Sequence, residues 1–150
     1  MKKYEFTGET MKRNGHTLHR IRAVTDFGDV KAGDIGGWIE SEDNLSHEGN
    51  CWVYDDAIVM DKARVFDNAI VGGNAVIAYY AEVKWQAVVR DFAVVVGFAK
   101  VDGGALVCEN ATISGVARVT GNAVVKGSAI VTDEICLSDN VVVDGIDAIK

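Results

Sequence analysis

From residue 51 onward the chain is patterned in units of six. Alanine occupies position 57 and every sixth position to 129, with Cys51 before the series and Ile135 and Val141 after it. Two residues after each comes an aliphatic, from Val53, Val59 and Val65 through to Val143, sixteen hexads without an insertion. Six is a multiple of the strand period of two and not of the helical period near 3.6. Each hexad therefore predicts a short strand whose small and aliphatic residues, two apart, both point inward.

Between strands the chain reads Asp55-Asp56, Asp67-Asn68, Gly73-Asn74, Gly103-Gly104 and Gly121-Asn122. These residue types tolerate the positive φ of tight corners. Three hexads make one triangular coil of eighteen residues, with alanine at the cramped corner and the larger aliphatic filling each side. The sequence contains no proline, as expected where every strand bonds to coils on both sides. Upstream, Ile35 lies eighteen before Val53, and Ile39 and Leu45 fall on the alanine line. Ser41 and His47 occupy aliphatic positions. The regular solenoid is therefore expected to start near Ile35 with an irregular first coil. Residues 1–34 form a β-rich cap and residues 35–150 the solenoid, together one structural domain.

The pattern [Val/Ile]-x-x-x-Ala-x resembles the hexapeptide repeat of left-handed parallel β-helix proteins over roughly residues 35–146. Handedness comes from that resemblance alone, since parallel crossovers are right-handed in about 98% of cases. The stretch GDVKAGDIGGWIESEDNLSHEGNCWVYDDA (28–57), with HTLHRIRAVTDFG (16–28) before it, resembles the opening of small phage- and prophage-borne hexapeptide-repeat proteins. Those are often labelled transferases because of the repeat. The resemblance implies an all-β, phage-type accessory protein with a short N-terminal β cap.

Sorting outward side chains at eighteen-residue steps gives three faces. The first presents Trp52, Ile70, Val88, Leu106, Val124 and Val142, an apolar ladder. The second presents Ile58, Met60, Val76, Val94, Val96 and Ile130, with Thr112 and Ser114 among them. The third carries Arg64, Phe66, Glu82, Lys84, Lys100, Asp102 and Arg118, and is expected to be wet. Contiguous apolar stripes mark interaction sites, so the first two faces are expected to form an oligomer interface. Homotrimers are usual in the resembled class, which makes a homotrimer the first expectation and a dimer the second. Tyr80, Phe98 and Val116 stack at one corner, with Tyr79 beside them and Trp85 on the next corner. Exposed aromatics anchor interfaces, so Tyr79, Tyr80 and Phe98 are candidates for contact with a partner.

Net charge is −7, unevenly distributed. Residues 1–34 hold seven Lys/Arg against five Asp/Glu, whereas residues 35–56 hold six acids and no base. Glu40, Glu42, Asp43 and Glu48 in that acidic stretch are further partner-binding candidates. An acidic chain makes a poor general nucleic-acid binder. No apolar run approaches the ~18–20 residues of a membrane-spanning helix, and the N-terminus has no apolar stretch of a secretory signal. The odd cysteines Cys51, Cys108 and Cys136 lack metal-ligand spacing and fit a reducing cytoplasm.

Hexapeptide-class acyltransferases, as the resemblance implies, use a histidine as general base and loops that shape the acceptor and coenzyme A sites. This solenoid has no inserted loop, and His47 is its one histidine; His16 and His19 lie in the cap. A trimeric carbonic anhydrase would need three histidines on zinc, and GDIGGW lacks the lysine of a P-loop. The expectation is therefore a non-catalytic, oligomeric binder or inhibitor of a host protein, host-defence antagonism included, with no catalytic residue, metal or cofactor. A hexapeptide-class acyltransferase is the alternative, and a virion or assembly component a further one.

Overall fold

The computed structural model describes residues 2–145 and 148–149; residues 146, 147 and 150, which the sequence reading assigned to the solenoid, lie outside the described residues. Strands β1 (Tyr4–Arg13) and β2 (His16–Ala23) form an antiparallel hairpin, and β3 (Ile35–Ile39) pairs antiparallel with β2. A single 3-10 turn spans Glu42–Asn44. From Trp52–Val53 onward every described strand is two residues long and pairs in parallel with strands eighteen residues away. The result is an all-β solenoid of about six eighteen-residue turns with three sheets as its sides.

The inside is as the hexads predict. Each alanine from Ala57 to Ala129 and each aliphatic from Val53 to Val131 is at most 1% exposed, in one continuous core. Burying a valine stabilises by roughly 1.5–3 kcal/mol, and alanine leaves room for three sides to converge.

The first coil departs from the expected phase. Ile39 and Leu45 pair with Val59 and Val65, twenty residues on, so they sit in the aliphatic register and not on the alanine line. Eight residues, in place of six, separate Leu45 from Val53. That detour holds Ser46 to Asn50 and explains why Ser41 and His47 fall at aliphatic positions.

Corners use chemistry beyond conformational tolerance. Asp55, Asp61, Asp67, Asp91 and Glu109 all have φ between 57° and 61°. Each acidic side chain accepts a hydrogen bond from the backbone N–H eighteen residues on, at 2.9–3.2 Å. The corner N–H stands outside the intercoil ladder, and the carboxylate satisfies it.

The N-terminal hairpin folds back over the second face. Leu18, Trp38, Ile58, Met60 and Ala78 form a second buried cluster, with Met11, Val76 and Val96 packed against it. On the first face Trp52 is 1% exposed, with Tyr4 and Phe27 edge-on to its ring. Three residues assigned to an oligomer interface, Trp52, Ile58 and Met60, are thus covered from within the chain. Ile70, Val76, Val88, Val94, Val96, Leu106 and Val124 are half-buried, while Ile130 and Val142 are exposed. Lys3 pins the cap: its buried ammonium donates to the carbonyls of Gly49 and Cys51 at 3.2 and 2.8 Å and lies over Phe27.

Replacing Asp67 by alanine orphans the Trp85 N–H and should cost about 1 kcal/mol, read as a lower urea midpoint. Asp67→Asn keeps an acceptor and should stay close to the parent.

Candidate functional site

Two features of the first coil build a site at the corner between the second and third faces. The 3-10 turn is capped by Ser41, whose hydroxyl accepts from the Asp43 N–H at 3.1 Å. The turn places Asn44, 1% exposed, as a clamp. Its Oδ1 accepts from the Glu40 and Ser41 N–H groups, and its Nδ2 donates to the carbonyls of Asp61 and Ala63. The end of β3 is thereby fixed to the Asp61 corner.

The hairpin then delivers His16, the first residue of β2, to that corner. His16 Nδ1 lies 2.8 Å from Glu40 Oε2, and Nε2 lies 3.5 Å from Asp61 Oδ1. Glu40 is held from its other oxygen, which accepts from the Asp61 N–H at 2.7 Å. Asp61 Oδ2 accepts in turn from the Tyr79 N–H at 3.1 Å. A cavity of about 510 Å³ opens here, lined by His16, Glu40, Ser41, Asp61, Lys62, Tyr79 and Tyr80.

The electrostatics follow from this wiring. The hydrogen bond to Glu40 raises the His16 pKa above its ordinary value; partial desolvation opposes that, and the Glu40 and Asp61 charges add to it. Desolvation pushes Glu40 upward, but the bonds from His16 and from the Asp61 N–H outweigh it and hold the carboxyl below its usual range. With Nδ1–H donated to Glu40, the neutral imidazole presents Nε2 as its acceptor, the arrangement of an oriented general base. Asp61 stands where it stabilises the imidazolium once Nε2 takes a proton.

His16, Glu40 and Asp61 also offer ligand atoms within 4.8 Å of one another. The sequence reading saw no metal-ligating cluster, and the fold creates one from residues 16, 40 and 61. Nδ1 already bonded to Glu40 favours the proton-transfer arrangement over cation binding.

The other two histidines are occupied. His47 stacks on Tyr4 with ring centroids 4.0 Å apart, accepts at Nδ1 from the Lys3 N–H, and donates from Nε2 to Glu42 at 2.8 Å. His19 stacks on Phe6 at 4.3 Å.

Among the residues proposed for partner contact, Tyr79, Tyr80 and Phe98 are exposed as expected, and Tyr80 and Phe98 stack at 4.9 Å. The acidic stretch divides. Glu40 belongs to the His16 site and Glu42 pairs with His47 and Lys2, leaving Asp43 and Glu48 exposed. The basic cap and the acidic first coil largely answer each other, as Arg20 on Asp56 at 3.0 Å also shows. The sequence reading missed His16, Asn44 and Asp61. The adjoining blocks of opposite charge were the available signal.

No protein-family model matches the chain. A stretch of 42 residues, 28% of this chain, is 52% identical to "Uncharacterized acetyltransferase YdcK" of Escherichia coli (strain K12) and spans 13% of that protein. This match overturns the expectation that the chain is not an enzyme. That expectation rested on the lack of inserted loops and of a suitable histidine in the solenoid; the fold brings His16 of the cap to the first regular corner. No helix among the described residues is long and apolar enough to cross a membrane.

His16 should titrate above 6.5 in NMR spectra. In Glu40→Gln its pKa should fall toward the ordinary value. Because the folded pKa is raised, the pair's contribution to stability is fully present below pH 6.5. It is lost as pH rises through the His16 pKa, so Glu40→Gln should lower the melting temperature at pH 5.5 more than at pH 8.5.

Proposed function

We propose that the chain is a hexapeptide-class acyltransferase that moves an acetyl group from acetyl-coenzyme A to a hydroxyl or amine. The observation that carries this reading is the 52% identical stretch shared with a protein named an acetyltransferase. The Glu40–His16–Asp61 arrangement supports it with workable chemistry.

In this reading the acceptor sits in the His16 cavity with its O–H or N–H toward Nε2. As the acceptor atom attacks the thioester carbonyl, Nε2 takes its proton. Glu40 holds the ring through Nδ1, and Asp61 offsets the charge that develops. The tetrahedral intermediate collapses by expelling the thiolate, which recovers the proton from the imidazolium. Tyr79 and Tyr80 line the cavity and offer aromatic surface to the acceptor.

His16→Ala should lower acetyl-transfer kcat/KM by about 10²–10⁴-fold, assayed as coenzyme A release with an acceptor panel. The parent's kcat/KM should rise with pH through an apparent pKa above 6.5, since the base acts unprotonated. Loss of the thioester at equal rates in parent and variant would reject the reading.

The same reading includes self-association, a homotrimer first, through the half-buried ladder of Ile70, Val88, Leu106 and Val124 with exposed Val142 and Ile130. Light scattering at micromolar concentration should give about three times the 16.1 kDa chain mass. Leu106→Glu should shift the mass to 16.1 kDa.

A further inference from the structure

The third face concentrates positive charge in an acidic protein. Of the eight Lys/Arg after residue 56, five lie on this face or its corner: Lys62, Arg64, Lys84, Lys100 and Arg118. On the face itself Glu82 and Asp102 answer four of them, while the corner that holds Lys62 also carries Asp61, Asp133 and Glu134. Arg64, Glu82, Lys100 and Arg118 are consecutive partners in one ladder. Glu82 lies 3.8 Å from Lys84, and Asp102 lies 3.1 Å from Arg118. Among the described residues, Lys62, Arg64 and Lys100 have no carboxylate within 4.0 Å.

These cations line a groove of about 670 Å³ whose wall is the exposed Tyr80–Phe98 stack. The groove shares Lys62 and Tyr80 with the His16 cavity, so the two form one trough. Lys100 and Arg118 lie two and three coils beyond Asp61, about 10–14 Å along the axis.

We propose that this trough is an anion subsite, and that the acceptor taken at His16 is a phosphate ester whose phosphate rests at Lys100 and Arg118, consecutive rungs of the ladder, with Arg64 lining the trough nearer the cavity. The assignment rests on the acetyl-transfer reading for its reacting end, while the anion site stands on the charge geometry. Lys100, with no carboxylate within 4.0 Å, stands on the rung beside Arg118, and neighbouring ammonium and guanidinium groups bind phosphate through charge-assisted hydrogen bonds. This face and the N-terminal cap are the basic parts of a −7 chain, so the face attracts an anion by its local charge. A reacting group at His16 and an anion some 10–14 Å away fix the length of the acceptor.

Calorimetry of the full chain with inorganic pyrophosphate tests the subsite. Saturable binding is expected, weakened about tenfold by Lys100→Glu and by Arg64→Glu, and several-fold between 50 and 200 mM salt, where screening shortens the reach of charge. His16→Ala should bind pyrophosphate as the parent does. Arg118 is left intact because removing it strands the buried Asp102 carboxylate. Equal thermal midpoints certify the variants, and Lys62→Glu at the exposed corner replaces any that fails to fold.

No saturable binding, or binding unchanged in both folded charge reversals, overturns the subsite. Affinity for acetyl-coenzyme A should be unchanged in Lys100→Glu. A parallel loss there, with pyrophosphate displacing the coenzyme, assigns the face to the donor and overturns the acceptor assignment. Pyrophosphate binding without acetyl transfer rejects the catalytic reading alone, and transfer without pyrophosphate binding rejects the subsite alone.

Discussion

The backbone bonds between coils govern this molecule. The two-residue strands donate to the coil after them, as Trp52 does to Ala69 and Ile70 does to Ala87. That ladder fixes eighteen residues per turn, and every other choice follows from it. The interior must then take a small residue at each corner and an aliphatic on each side. The corner N–H stands outside the ladder, and at five corners an Asp or Glu eighteen residues earlier accepts from it. The ladder also leaves the first coil with an unpaired edge. The protein closes it with β2 laid antiparallel on β3 and with a hairpin folded over the adjoining face. The candidate site arises where that closure meets the first regular corner.

The interior was legible because it is local. Ala63 and Val65 announce their burial through six-residue recurrence alone. The stacking of Tyr80 on Phe98 was legible for the same reason, since eighteen-residue steps convert directly into neighbours along the prism. The first coil was not legible, because the added residues between Leu45 and Val53 slip its phase without breaking its apolar spacing. The His16 site was hidden more deeply. Its members are separated by 24 and 21 residues, and no repeat relates the hairpin to the solenoid. Asn44 looks like an ordinary turn residue until its four hydrogen bonds join β3 to the Asp61 corner. The apolar ladder was legible as composition but not as exposure. Stacked β-branched side chains about 4.8 Å apart shield one another, and the hairpin covers Ile58 and Met60.

An uninterrupted run of hexads argues against an enzyme only if catalysis must be built by loops inserted in the coils. Here the inserted element precedes the coils. The hairpin brings His16, and the irregular first turn brings Glu40 and Asn44. The regular repeat contributes Asp61, whose carboxylate has two tasks at once. Oδ2 takes the corner N–H of Tyr79, as the other acidic corners do for their neighbours, and Oδ1 faces His16 Nε2. A structural device of the solenoid is thus shared with the candidate chemistry.

Tyr79 shows what this sharing asks of the backbone. It holds φ at 61°, a region where a bulky L-residue is disfavoured by roughly 1–2 kcal/mol. Glycine or aspartate occupies most equivalent corners, and neither would wall the cavity. The N–H bond from Tyr79 to Asp61 and the intercoil bond from the Lys62 N–H to the Tyr79 carbonyl at 2.8 Å hold it there. Strained backbone persists where surrounding structure over-determines it, and such residues gather at functional sites. Trp85 holds the same geometry on the next corner, outside the lining of the His16 cavity, so strain alone does not mark this site. Tyr79 differs because it is bonded to the residue that faces His16. A residue that lines the cavity and the carboxylate that charges it are therefore joined by one backbone hydrogen bond.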